Sequence, residues 1–166
     1  MTYERMAGSL GSLLLLWAAI ERAAQAEIVR ANGLLPKQAR GIAATLRTWQ
    51  AIVSDMPANA PLRTLLAETL CERLQQPLGV RNGLCHGLIG ISSANGANPG
   101  SLVWQLNGVE HHIGWQQLQD LFTWLSRVPD AIAVISKPGS QNPCDRRLDN
   151  VENREWWRAE FGIRLP

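Results

Sequence analysis

Pro61-Leu62-Arg63-Thr64-Leu65-Leu66-Ala67-Glu68-Thr69-Leu70-Cys71-Glu72-Arg73-Leu74-Gln75-Gln76-Pro77 sets the pattern for most of the chain. Leu62, Leu65, Leu66 and Leu70 recur at the spacing of one helix face, which leaves Arg63 and Arg73 for the solvent side. Pro61 suits a first turn, where its missing N–H is not needed, and Pro77 is expected to stop the helix near Gln76. The same pattern extends outward in both directions. Upstream, Pro36 opens a segment running to about Met56 with Ile42, Leu46, Trp49 and Val53 on one face, and Pro57 ends it. Residues 3–31 read as one long helix with Leu10, Leu13, Leu14, Trp17, Ile20 and Ala24 inward, closed by Asn32-Gly33. Downstream, Pro77 begins a fourth segment, Leu78 to about Ser92, and helical spacing resumes from Trp115 to Val128 through Leu118, Leu121, Phe122 and Leu125 until Pro129. Ala131–Ile135 is a short apolar piece compatible with helix or strand.

Two stretches break the pattern. Residues 93–100 are a loop by composition, and Leu102, Trp104 and Leu106 then alternate up to Asn107-Gly108, a strong signal for a two-residue hairpin turn into Val109–Ile113. Residues 136–147 read as a linker, and Asp149 with Glu152 resembles a capping box before a last helix bearing Trp156 and Trp157. The expected fold is all-α: an antiparallel bundle of four to five helices with a small β-hairpin near 101–113 (residues 1–136), followed by a linker and C-terminal helical tail (137–166).

Composition narrows the function classes. At 166 residues with 46% hydrophobic content the chain is one domain's worth of material, able to bury a core without metal or disulfide. A net charge of +2 excludes gripping nucleic acid by bulk positive charge, so any polyanion site must be local. Cys71, Cys85 and Cys144 are three, widely spaced and without a CxxC, which suggests neither a disulfide framework nor a zinc site. A reducing, cytoplasmic setting is expected. Ala24-Gln25-Ala26 behind the apolar run Leu10–Ile20 imitates a leader, but Glu4 and Glu21-Arg22 speak against secretion, and the run is too short for a membrane span.

The chemistry concentrates in Val80-Arg81-Asn82-Gly83-Leu84-Cys85-His86-Gly87-Leu88-Ile89-Gly90. Glycine costs about 1 kcal/mol relative to alanine inside a helix, so Gly79, Gly83, Gly87 and Gly90 suggest a side-chain-free groove for another backbone or a ligand. Asn82 and His86 stand one turn apart on one face, and the long Arg81 side chain can swing alongside. An imidazole, a guanidinium and an amide suit phosphodiester cleavage without a metal. Imidazole can take a proton from a ribose 2′-hydroxyl and return it to the leaving oxygen, while guanidinium stabilises charge on the phosphoryl oxygens.

Arg81-Asn82 followed by His86, an Arg-polar-x3-His arrangement opening a helix in a small helical protein, resembles the HEPN superfamily (higher eukaryote and prokaryote nucleotide-binding domains). The motif covers six residues and the helical order residues 3–128. The resemblance implies a helical bundle that dimerises with its Arg81/His86 helices facing across the interface. It implies a metal-independent endoribonuclease, a toxin or antiviral effector, with catalytic His86, Arg81 and Asn82, no cofactor and no metal. RNA is the implied partner, an antitoxin or regulatory protein a further one, and no membrane. The alternative is a non-catalytic adaptor that binds nucleotide, RNA or protein through the same groove. The hairpin near Asn107-Gly108 and the tail after Ser136 depart from the family pattern.

Other residues read more plainly. Glu110, His111 and His112 are taken as surface residues of the hairpin, since adjacent strand residues point to opposite faces. Cys85 beside His86 reads as a small buried hydrophobe. Glu21 or Glu27 could steady the Arg81/His86 site, though a solvated carboxylate is the simpler reading. The tail's Arg146, Arg147, Arg154 and Arg158 with Trp156-Trp157 are read first as a helix docking its tryptophans, second as an RNA platform.

Overall fold

The computed structural model describes residues 3–56, 60–92, 100–139, 142 and 144–166. In chain order these form α1 (Tyr3–Asn32), α2 (Ile42–Ser54), α3 (Arg63–Gly87), β1 (Leu88–Ser92), β2 (Ser101–Leu106), β3 (Val109–Gly114), α4 (Trp115–Leu125), α5 (Val128–Ser136) and α6 (Val151–Phe161). The protein is mostly helical with one antiparallel sheet of order β1-β2-β3, so the all-α expectation is corrected: the hairpin gains a third strand. The backbone groups into two compact units, residues 1–17 with 74–125 and residues 18–73 with 126–166.

α1 follows its apolar spacing closely. Leu13, Trp17, Ile20, Ala24 and Ile28 are buried, Leu14 is exposed, and Gly33 ends the helix at φ 78. α2 starts later than Pro36 suggests, because Gly41 at φ 82 and ψ 151 breaks helical geometry immediately before Ile42. Thr45, Leu46, Trp49 and Val53 make its buried face.

α3 overturns the expected stop at Pro77, which lies inside it. Proline there removes the bond to the Arg73 carbonyl and costs about 3 kcal/mol. The apolar row Leu62, Leu66, Leu70, Leu74 and Leu78 nevertheless stays buried across it, each leucine contributing roughly 1.5–3 kcal/mol. The two helices expected on either side of Pro77 are therefore one. Arg63, expected outside, is only 2% exposed.

Where the fourth segment was expected to stay helical to Ser92, the chain turns at Gly87 into β1. The β-branched Ile89 and Ile91 favour an extended chain, and a register irregularity between Leu88 and Gly90 lies at Ile89. The β2–β3 hairpin matches its sequence: Leu106 faces Val109, and Asn107 and Gly108 take φ 51 and 78, as a type I′ turn requires. The loop expected at 93–100 falls almost wholly outside the described residues.

Pro129 does not close the preceding helix. α4 ends at Leu125, and Pro129 sits in the first turn of α5. The undecided piece 131–135 is helical within α5, with Ala131, Ile132 and Ile135 buried.

In the second unit the segment before α6 is tied down rather than loose. Arg147, 3% exposed, forms a buried ion pair with Asp145 at 2.6 Å and donates to the Lys137 carbonyl, to which Arg63 also donates at 3.0 Å. Burial, with the Arg147 charge next in weight, holds the Arg63 guanidinium below its ordinary pKa. The α6 cap is Asn150, one residue beyond the expected Asp149; its side-chain Oδ1 accepts from the Asn153 N–H at 2.8 Å. Asp149 instead pairs with Arg154 at 2.7 Å.

Candidate functional site

The last turns of α3 set the orientation of Arg81, Asn82 and His86. Val80 and Leu84, each 5% exposed, turn inward and so aim Asn82, Cys85 and His86 at solvent. Arg81 is half-buried: its Nε is covered and lacks a hydrogen-bond partner, while Nη1 donates to the Asn82 Oδ1 at 2.9 Å. That bond draws the guanidinium head onto the Asn82 side of the helix. His86 lies one turn further along, exposed, with no hydrogen bond or ion pair to another described residue. Arg81 and Asn82 are thus joined directly, and His86 shares their face without touching them through a hydrogen bond. Cys85, expected to be buried, is exposed.

The glycines have a reason that sequence spacing could not supply. A Cβ built on Gly83 would stand 2.1 Å from the Trp104 indole nitrogen, and one on Gly87 would stand 2.1 Å from the Gln105 carbonyl oxygen. Strand β2 of the same chain fills this part of the groove, whereas Gly79 and Gly90 have nothing within 4 Å. Close approach at Gly83 and Gly87 therefore needs no second copy. Their face lies about 100° around the helix from that of Asn82 and His86, which stays open. Leu88 and Ile89, 39% and 57% exposed, follow directly.

The remaining candidates take structural places. His111 stacks on Trp104 across the hairpin with ring centroids 5.4 Å apart, and His112 pairs with Glu110 at 2.9 Å. Among the described residues no three His, Cys, Asp or Glu side chains are grouped to hold a metal ion. No helix among them is long and apolar enough to cross a membrane. Glu27 pairs with Arg30 at 2.5 Å. In the tail, Trp157 is fully buried and its Nε1 donates to the Arg146 carbonyl at 2.6 Å. Arg146, Arg154 and Arg158 pair with Glu152, Asp149 and Glu155. Trp157 is thus docked as expected, whereas Trp156 is half-buried with the Arg146 guanidinium 5.2 Å from its ring centroid.

Sequence reasoning missed one feature with chemical potential, a cleft in the second unit lined by Arg73, Arg158 and Arg164. These residues lie far apart in sequence, and no local spacing signals their meeting.

Comparison with protein-family models, curated proteins and solved structures finds no match. The chain's own residues carry the functional reading.

Proposed function

We propose that this protein is a metal-independent endoribonuclease of the HEPN type, a toxin or antiviral effector that works as a homodimer. The observation that carries the reading is the 2.9 Å bond from Arg81 to Asn82 on an open face shared with His86. It sets a guanidinium and an amide one helical turn from a solvent-reachable imidazole. In the reaction, His86 as neutral imidazole takes the 2′-hydroxyl proton while the 2′-oxygen attacks phosphorus. The bond from phosphorus to the 5′-oxygen breaks, and an imidazolium supplies that oxygen's proton. Arg81 stabilises the charge on the non-bridging oxygens, and Asn82 positions the phosphate.

Two copies related by a two-fold axis would double this set, giving two guanidinium groups and two imidazoles around one phosphodiester. Such a composite site answers how a chain of charge +2 holds RNA. The exposed Leu88 and Ile89 beside His86 supply apolar surface for that contact.

The test is a single-stranded RNA incubated with the protein in excess chelator. The expected products carry 2′,3′-cyclic phosphate and 5′-hydroxyl ends, and a 2′-deoxy substitution at the scissile nucleotide abolishes the cut. Cleavage of the deoxy-substituted strand would overturn the mechanism. One observation favours a second reading: Arg81 is bonded to Asn82 and not to His86, which suits a non-catalytic adaptor that binds RNA, nucleotide or protein here. RNA binding without turnover selects that alternative.

A further inference from the structure

The second unit carries an open cleft of roughly 670 Å³ lined by Thr69, Glu72, Arg73, Arg158, Gly162 and Arg164. Its size falls in the range of small-molecule sites. Three arginines line it together with Glu72.

A structural role accounts for part of this charge. The C-terminal end of a helix leaves carbonyls without intrahelical donors and carries about half a negative charge. Arg73 donates to the Gly162 carbonyl, and Arg127 donates to the Glu160 carbonyl at 2.9 Å. Those two arginines already serve the helix end.

Arg158 and Arg164 are surplus to that need. Arg158 pairs with Glu155 at 2.5 Å, but both side chains are more than half exposed, so the pair is weak and exchangeable. Arg164 is exposed and makes no hydrogen bond or ion pair with a described residue. Its charge acts on Arg73, whose pKa is lowered first by partial burial and then by this like-charged neighbour. Two guanidinium groups held near each other are unfavourable until an anion comes between them.

We propose that the Arg73–Arg158–Arg164 cleft binds a phosphate group, with Arg158 and Arg164 as the principal donors. Guanidinium forks match phosphate oxygens in shape and charge, and three arginines line this cleft. This site is independent of His86 and stands whether or not the chain cleaves RNA.

Pyrophosphate serves as the probe, titrated calorimetrically against the full chain, the exposed-site variant Arg164→Gln, and Arg22→Gln as a charge-matched control. Affinity is expected to fall roughly tenfold in Arg164→Gln, to be partly kept in Arg164→Lys, and to be unchanged in Arg22→Gln. Pyrophosphate binding that is absent, or equal in wild type and Arg164→Gln, would overturn the proposal. A single-stranded oligonucleotide in a parallel titration identifies the source of the phosphate. If its affinity falls with that of pyrophosphate, the cleft takes a nucleic-acid backbone; if pyrophosphate alone is affected, it takes a small phosphorylated ligand.

Discussion

Replacing Gly87 by alanine tests the idea that β2 packs directly against the end of α3. The new Cβ would lie 2.1 Å from the Gln105 carbonyl oxygen and 3.1 Å from its carbonyl carbon. Both are backbone atoms, so no side chain can rotate away. The helix end or the strand must move by roughly 1 Å, which strains the β1–β2 pairing as well. Overpacking of this kind costs about 1–3 kcal/mol, against which alanine's better helix propensity returns less than about 1 kcal/mol. Gly79 is the matched control, since it lies in the same helix with nothing within 4 Å of its added Cβ. Gly79→Ala should therefore stabilise the protein by about 0.5–1 kcal/mol. Urea unfolding of both variants, with slopes matching wild type, gives the comparison directly. If Gly87→Ala proved as stable as Gly79→Ala, the inferred packing of β2 on α3 would be wrong.

Three further outcomes are expected. Arg147→Met should lower stability by about 3–5 kcal/mol in the same unfolding assay, because it removes the buried guanidinium that pairs with the Asp145 carboxylate; a loss below 1 kcal/mol would show that the pair is not buried in solution. Native protein should give up Cys85 and Cys144 to a thiol reagent while Cys71 reacts only on unfolding. Burial pushes the Cys71 thiol up to about 12 from an ordinary value of 9.0, so the stability it confers is complete below pH 9.0 and is lost as pH rises towards 12. That loss amounts to at most about 4 kcal/mol and should disappear from the pH profile of Cys71→Ala. Asn150→Ala should cost about 1 kcal/mol through the lost α6 cap, more than Asp149→Ala, whose exposed pair with Arg154 contributes little.

The parts of the fold that local chemistry decides were legible in the sequence. α1 shows its apolar period and its Asn32-Gly33 end, and Asn107-Gly108 specifies the hairpin. What escaped depends on distant partners. Pro77 looks like a stop because its local cost is plain, whereas the burial of Leu74 and Leu78 that offsets it is visible only once the chain is folded. Arg63 looks like a surface residue until the carbonyl of Lys137, 74 positions away, receives its guanidinium. At the candidate site, the shared face of Asn82 and His86 follows from helical spacing alone. The purpose of Gly83 and Gly87 does not, because Trp104 and Gln105 reach them from a strand that the sequence pairs only with its hairpin neighbour. The spacing that suggested a groove for a second molecule was real, and the chain itself fills half of it.

Cleavage of single-stranded RNA in chelator by wild type, His86→Ala and Arg81→Ala is the most direct measurement, with circular dichroism establishing that each variant is folded. The exposure of His86 makes its substitution structurally mild. Wild type is expected to cleave, and each variant to lose at least about a hundredfold in rate, the scale of a missing general acid or base. Undiminished cleavage by folded His86→Ala, or none by wild type that nonetheless binds RNA, would contradict the catalytic role of this face.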